Sequence, residues 1–371
     1  MTPAADAGGG RRGARTLAQV YRRFAEVDAA GTSPLYGRVA LALSESDEAL
    51  RALETAPARR RNPARILAAL HDLALAGRAP ALAAAYAAGD GDAAAGAAID
   101  TLLRETDALV AVAVRRTVRT IETARCAVLH PAVAEAAHRV GADAVGLIDV
   151  DDSAGLNLQV DRVGITYDDG RSLGDPSSPV QLTSSVVGRR PVPTRPVPEV
   201  VARIGVDRDP VDVTDPDDAR WLRACVWPDQ RERAARLDAE LALAAAAPPQ
   251  LLRGGVVEVL PAAVARVPAD ALPVVITTWA LSGLPLEGRL RFLHRLDEAA
   301  AGRAVAWVSA EGVGVAPAVP TLGDRRASGH SIIGLAVFDG STLRAEAVGR
   351  CWSRGRLLAW LASSPKGGHP G

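Results

Sequence analysis

The stretch A-V-G-L-I-D-V-D-D-S-A-G-L-N-L, Ala144 to Leu158, decides how this chain is read. Its first half, Ala144–Val150, is short and almost wholly apolar, the mark of a strand buried on both faces of a parallel sheet. The run ends on Asp149 and passes into a polar, glycine-bearing turn, with the start of a helix expected behind it and Asp152 or Ser153 as its cap. A strand, a tight turn and a helix start aim backbone N–H groups at whatever lies beyond the strand's end.

Toward the C-terminus the same alternation continues. Residues 163–187 read as two strands joined by a loop of glycine, aspartate and proline, an inserted hairpin. R-I-G-V-D-R-D-P (Arg203–Pro210) reads as a strand ending in acid, and Thr214–Asp218 opens a helix that carries Trp221, Leu222, Cys225 and Val226 on its apolar side. Further strands are expected at Gln250–Arg253, Pro273–Thr278 and Ala304–Ser309, with helices at Arg231–Ala247, Pro261–Val267 and Leu286–Ala301. Ile332–Phe338 and Leu343–Val348 flank Asp339-Gly340-Ser341-Thr342, a hairpin turn signal. Alternating β and α elements closed by a hairpin predict an α/β fold, a parallel open sheet with an antiparallel edge.

Toward the N-terminus the strand pattern disappears. Leu17, Val20, Tyr21, Phe24 and Val27 recur at helical spacing, and Ile66–Ala76, Ala81–Ala88, Ala93–Leu103 and Asp107–Cys126 read as helices rich in alanine and leucine. The expected organisation is a polar tail over 1–15, an all-helical N-terminal domain over 16–126, the α/β domain over 127–364 and a short tail over 365–371.

Composition excludes several chemistries. Positive and negative side chains number 43 each, which argues against a nucleic-acid or acidic-lipid surface. Lys366 is the only lysine, so a phosphate loop of the G-x-x-x-x-G-K-[ST] type and Schiff-base catalysis are absent from the rest of the chain. Cys126, Cys225 and Cys351 lie far apart, and the histidines form no H-E-x-x-H, so no metal site is expected. No apolar run of about 18 residues occurs; a soluble, cytoplasmic protein with a small-molecule substrate and neither membrane nor nucleic-acid partner is the expectation.

Several stretches carry a family resemblance: Y-R-R-F-A (Tyr21–Ala25), G-T-S-P-L-Y (Gly31–Tyr36), T-I-E-T-A-R (Thr120–Arg125), S-A-G-L-N-L (Ser153–Leu158), D-V-T-D-P-D-D-A-R-W-L (Asp212–Leu222), V-W-P-D-Q (Val226–Gln230) and A-W-V-S-A-E-G (Ala306–Gly312). In this order they resemble a bacterial family catalogued as domain of unknown function 2332. That family is itself similar to class I S-adenosylmethionine-dependent methyltransferases. The resemblance implies a Rossmann-like, methyltransferase-type open sheet, with S-adenosylmethionine over the turn after the first strand. Asp149, Ser153, Gly155 and Asn157 match that turn, and Asp207 falls at the end of the second strand, where one carboxylate can accept both ribose hydroxyls. Glu122 and Arg125, three apart, face a substrate or pair with each other; Thr277 and Trp279 end a strand beside them. Glu311 is a general base or a loop cap. Catalytic roles fall to Glu311 and Glu122, and substrate binding to Arg125, Thr277 and Trp279.

The chain departs from the family pattern at Asp151, where glycine is usual, and at Ile121, Gly255 and Thr277, where asparagine, aspartate and histidine are usual. An aspartate at 151 fills space that glycine leaves to a ligand. With Asp152 it repels a ligand carboxylate, by on the order of 1–4 kcal/mol at surface-like dielectric. Three readings follow: a methyltransferase-like enzyme, a degenerate member that binds no cofactor and works through a protein partner, and an enzyme of specialised metabolism that reuses the cleft for another reaction.

Overall fold

The computed structural model describes residues 16–119, 121, 124–151 and 154–362. Two compact units emerge, residues 1–120 with 220–235, and residues 121–219 with 236–371.

The described elements of the first unit before residue 120 are helices: α1 (Leu17–Arg23), α2 (Pro34–Glu45), α3 (Asp47–Glu54), α4 (Pro63–Leu75), α5 (Pro80–Ala88), α6 (Gly91–Arg104) and α7 (Thr106–Arg115). Their starts follow local chemistry. Ser33 and Asn62 cap α2 and α4 ahead of a proline at the first helical position, and Asp90 accepts the N–H groups of Asp92 and Ala93 at the start of α6. Tyr21, Tyr36, Leu43, Leu67 and Leu70 fill the core. α7 ends at Arg115, short of the helix expected to run to Cys126. The sequence beyond, R-T-V-R-T-I, holds β-branched residues that lose rotamer freedom in a helix.

Residues 220–235 belong with this unit through long-range polar contacts. The Ser33 hydroxyl lies 2.7 Å from both carboxylate oxygens of Asp229, and the Leu35 amide donates to the same group at 3.3 Å. Trp227 packs 5.6 Å from Tyr36 and 5.9 Å from Phe24. Arg220 pairs with Asp72 at 2.9 Å, and the Trp221 indole donates to the Thr117 carbonyl at 2.9 Å. Thus G-T-S-P-L-Y and V-W-P-D-Q, two stretches of the family resemblance, are two halves of one structural clasp.

The second unit is built on an 11-stranded mixed sheet, ordered β3-β2-β4-β11-β10-β9-β8-β7-β1-β5-β6. Its strands are β1 (Ala144–Val150), β2 (Gly164–Tyr167), β3 (Ser172–Gly174), β4 (Gln181–Val186), β5 (Glu199–Asp207), β6 (Gln250–Arg253), β7 (Leu272–Thr278), β8 (Val305–Gly312), β9 (Ser331–Asp339), β10 (Thr342–Trp352) and β11 (Leu357–Trp360). From β6 to β8 all pairings are parallel, and β9 and β10 then run back and forth as an antiparallel hairpin. Chain order reverses at β1, which has β5 on one side and β7 on the other.

Each face of the sheet carries its own core. α8 (Cys126–Val140) covers Val145, Leu147, Val274, Ile276 and Val308. On the other face α11 (Val256–Ala265) and α12 (Leu286–Ala299) cover Ile148, Val150, Val206, Val275 and Trp307. α8 passes through Pro131, which removes the N–H that Ala127 would otherwise bond. The Tyr167 hydroxyl instead donates to the Ala127 carbonyl at 2.5 Å, so the buried oxygen keeps a partner.

Three local expectations change. The 163–187 segment forms three strands: β2 and β3 make the hairpin, and β4 runs parallel to β2 and carries it to β11. The helix start after β1 is one 3-10 turn, Leu156–Gln159, because Leu158, Asn157 and Gln159 are all buried rather than one face only. α11 begins at Val256, five residues ahead of the proline taken as its start. Among the described residues no single helix is long and apolar enough to cross a membrane.

Candidate functional site

The reversal of strand order at β1 opens a crevice at the carboxyl ends of the parallel strands, the place where open α/β sheets bind ligands. A cavity of about 250 Å³ lies there, lined by Val150 and Asp151 at the end of β1, Val206, Asp207 and Arg208 at the end of β5, and Gly254 and Val256 beyond β6. Ala280, Gly283 and Leu284, after β7, close it.

Asp207 is the buried charged group of this wall, 4 % exposed. Its Oδ1 accepts the Asp209 amide at 2.6 Å and its carbonyl accepts the Gly254 amide at 2.9 Å, so the turn after β5 and the turn after β6 hold one another. Arg253 reinforces the pair, donating to the Arg208 carbonyl at 3.2 Å and to Asp209 at 3.0 Å. Asp151 takes a left-handed backbone, φ 62°, a region that aspartate tolerates better than most residues. Its amide donates to the Val206 carbonyl at 2.8 Å, extending the β1–β5 ladder to the cavity's rim.

The remaining residues singled out in the sequence separate onto the two faces, because side chains alternate along a strand. Asp149 follows Val145 and Leu147 on the α8 side and is fully buried. Arg125, immediately before α8, donates from Nη1 to the Thr278 hydroxyl at 2.9 Å and lies 4.8 Å from the centre of the Trp279 ring. Thr277 points to the opposite face, where its hydroxyl accepts the Trp307 indole N–H at 3.0 Å. Glu311 shares that face: its Oε1 accepts the Leu281 amide at 3.1 Å, which anchors the turn after β7. The sequence reading therefore joined residues that the pleat divides between two faces. Glu122 and Ser153 lie outside the described residues.

Gly155 and Asn157 lie in and beside the turn after β1. Gly155 has φ 66°, and a Cβ there would come within 2.7 Å of Pro249, so both backbone and packing demand glycine. Asn157 is buried in the turn, and neither residue lines the cavity. The lining residues Gly254, Val256 and Leu284 escaped the sequence reading; the R-G-G run after a short strand (Arg253–Gly255) was the available signal.

Burial dominates the electrostatics. It pushes the Glu311 carboxyl up to about 7, against the opposing pull of the Leu281 amide, the Thr277 hydroxyl, the Ala280 amide and the Arg289 charge. Cys351 is pushed up to about 12 by burial despite the Arg125 charge, so it stays a neutral thiol. Among the described residues no group of histidine, cysteine and carboxylate side chains is arranged to hold a metal ion.

Sheet and crevice together define an α/β protein with a large mixed sheet and a cavity at its point of strand reversal. Residues 18–360 match the family described as "Uncharacterized protein conserved in bacteria (DUF2332)", and the chain belongs to that family. No curated protein matches it.

Proposed function

We propose that this chain is an S-adenosylmethionine-dependent methyltransferase-like protein acting on a small molecule, its sheet a Rossmann-like one of the methyltransferase type. One observation carries the reading: the strand order reverses at β1, and the acid ending the next strand, Asp207, turns its carboxylate into the cavity wall. A carboxylate offers several lone-pair sites, so Asp207 can accept two ribose hydroxyls while keeping the Asp209 amide that fixes its orientation. Val150, Val206, Val256 and Leu284 give an apolar wall suited to a purine face. The cavity falls a little below the ~300 Å³ usual for small-molecule sites, which fits the nucleoside end of the cofactor better than the whole of it.

When bound, the cofactor supplies an electrophilic methyl group; the chain's contribution is to hold an acceptor in line with it and away from water. Glu311 does this at one remove, by anchoring the 279–283 turn.

The second reading, a member without cofactor that works through a protein partner, draws on Asp151. Its carboxylate lines the cavity, and a negative charge there would cost affinity for an anionic group such as the cofactor's carboxylate. Isothermal titration with S-adenosylmethionine and S-adenosylhomocysteine decides between them. Micromolar binding that disappears in Asp207→Ala supports the first reading. Absence of heat and of a thermal shift at millimolar ligand refutes it.

A further inference from the structure

Three half-buried arginines elsewhere in this chain meet carboxylates. Arg203 makes two 2.7 Å hydrogen bonds with Asp161, Arg350 grips Asp324 at 2.6 and 3.1 Å, and Arg220 meets Asp72 at 2.9 Å. Arg125 is different. Among the described residues its guanidinium makes one hydrogen bond, from Nη1 to a neutral hydroxyl, that of Thr278. Its Nε is buried and, among the described residues, has no partner. A guanidinium carries five donors and a charge that cannot be shed, so partial burial without an anion is unfavourable.

Among the described residues no ion pair is formed by that charge. Cys351, close enough for the charge to act on it, stays protonated because burial holds its pKa near 12. The Trp279 ring covers one face of the guanidinium. Trp279 itself holds a left-handed backbone, φ 57°, which a bulky residue adopts only under constraint, and such strain gathers at ligand sites. Since Nη1 is engaged by Thr278, the fork whose geometry still matches the two oxygens of a carboxylate is the Nε–Nη2 edge.

We propose that Arg125 and Trp279 form a subsite for the carboxylate of a small-molecule ligand, bound on the Nε–Nη2 edge of the guanidinium beside the indole. A carboxylate there gives the buried Nε the partner it lacks. Two sources share this chemistry: an acid acceptor substrate, or the amino-acid end of the cofactor. Which of them arrives rests on the function proposed above; the subsite itself does not.

The test uses the full chain and two probes of equal shape, benzoate and benzamide, titrated calorimetrically into wild type, Arg125→Gln and Arg125→Lys. Benzoate is expected to bind wild type, to lose at least tenfold in Arg125→Gln and less in Arg125→Lys, and benzamide is expected not to bind. Circular dichroism establishes that each variant is folded, and the lysine variant keeps the charge should the glutamine variant lose its fold. Benzoate binding that equals benzamide binding, or that persists in the folded Arg125→Gln variant, overturns the subsite. Parallel titrations with S-adenosylhomocysteine and with 5′-methylthioadenosine, which lacks the carboxylate, identify the source. If Arg125→Gln weakens only the former, the carboxylate is the cofactor's. If it weakens neither while abolishing benzoate binding, the carboxylate belongs to an acid substrate. Loss of benzoate binding in Arg125→Gln alongside no nucleoside binding at all sustains the subsite and refutes the cofactor reading alone.

Discussion

Replacing Glu311 by glutamine should stabilise the protein at pH 8 and leave it nearly unchanged at pH 4.5. The carboxyl is 1 % exposed, and burial raises its pKa from 4.5 to about 7. Below pH 4.5 the group is neutral folded or unfolded and exerts no pH-linked effect. Between 4.5 and 7 the folded state holds the proton that the unfolded state has released, so unfolding free energy falls as pH rises. Above 7 the loss is complete. A difference of 2.5 pH units corresponds to roughly 3 kcal/mol. Glutamine cannot ionise, yet its amide oxygen can still accept the Leu281 N–H that Glu311 accepts. Groups that titrate elsewhere are common to both proteins and cancel in the difference. Urea unfolding followed by circular dichroism at pH 5, 6, 7 and 8 therefore gives a stability gap, variant minus wild type, that widens with pH and levels off above 7. A gap that is flat across this range refutes the reasoning, because it means that Glu311 titrates normally in the folded protein.

Other consequences are equally open to measurement. Asp229→Ala removes the acceptor of Ser33 and Leu35, and should cost about 1–3 kcal/mol in thermal or urea unfolding without altering affinity for S-adenosylhomocysteine. Asp151→Gly relieves a left-handed aspartate and removes a carboxylate from the cavity's rim; affinity for S-adenosylhomocysteine should rise about fivefold, the equivalent of about 1 kcal/mol between charges 4 Å apart in water, and unchanged or weaker binding by calorimetry counts against the rim's role. Burial holds the His130 imidazole down at about 4 instead of 6.5. Its contribution, present above pH 6.5, is lost as pH falls toward 4, so the stability advantage of wild type over His130→Gln should shrink across that window by up to roughly 3 kcal/mol; a pH-independent difference in urea titrations contradicts the burial argument.

Much of the sheet was legible because local pattern and final environment agree. Ala144–Val150 is apolar on both sides and becomes a strand with a core on each face. Asp339–Thr342 is a turn by composition, and Gly340 takes φ 56° there. Pairings that depend on distant residues were not legible. Ser33 and Asp229 stand 196 residues apart, and nothing local in V-W-P-D-Q says that it closes on a helix start. The same holds for β4, whose Q-L-T-S-S-V alternates like a hairpin strand but pairs in parallel with β2 and β11. Within the site, the acids at strand ends were visible as residues, but the face each one takes depends on where its strand stops. A shift of one residue moves a side chain across the sheet. Thr277 and Thr278 show this directly: one meets Trp307 on the α12 side, and its neighbour meets Arg125 on the α8 side.

The central claim is tested most directly by a crystal structure of the chain with saturating S-adenosylhomocysteine. The account predicts the ribose hydroxyls on the Asp207 carboxylate and the purine against Val206, Val256 and Leu284. Density for the ligand anywhere else, or none at the carboxyl ends of β1 and β5, would contradict it.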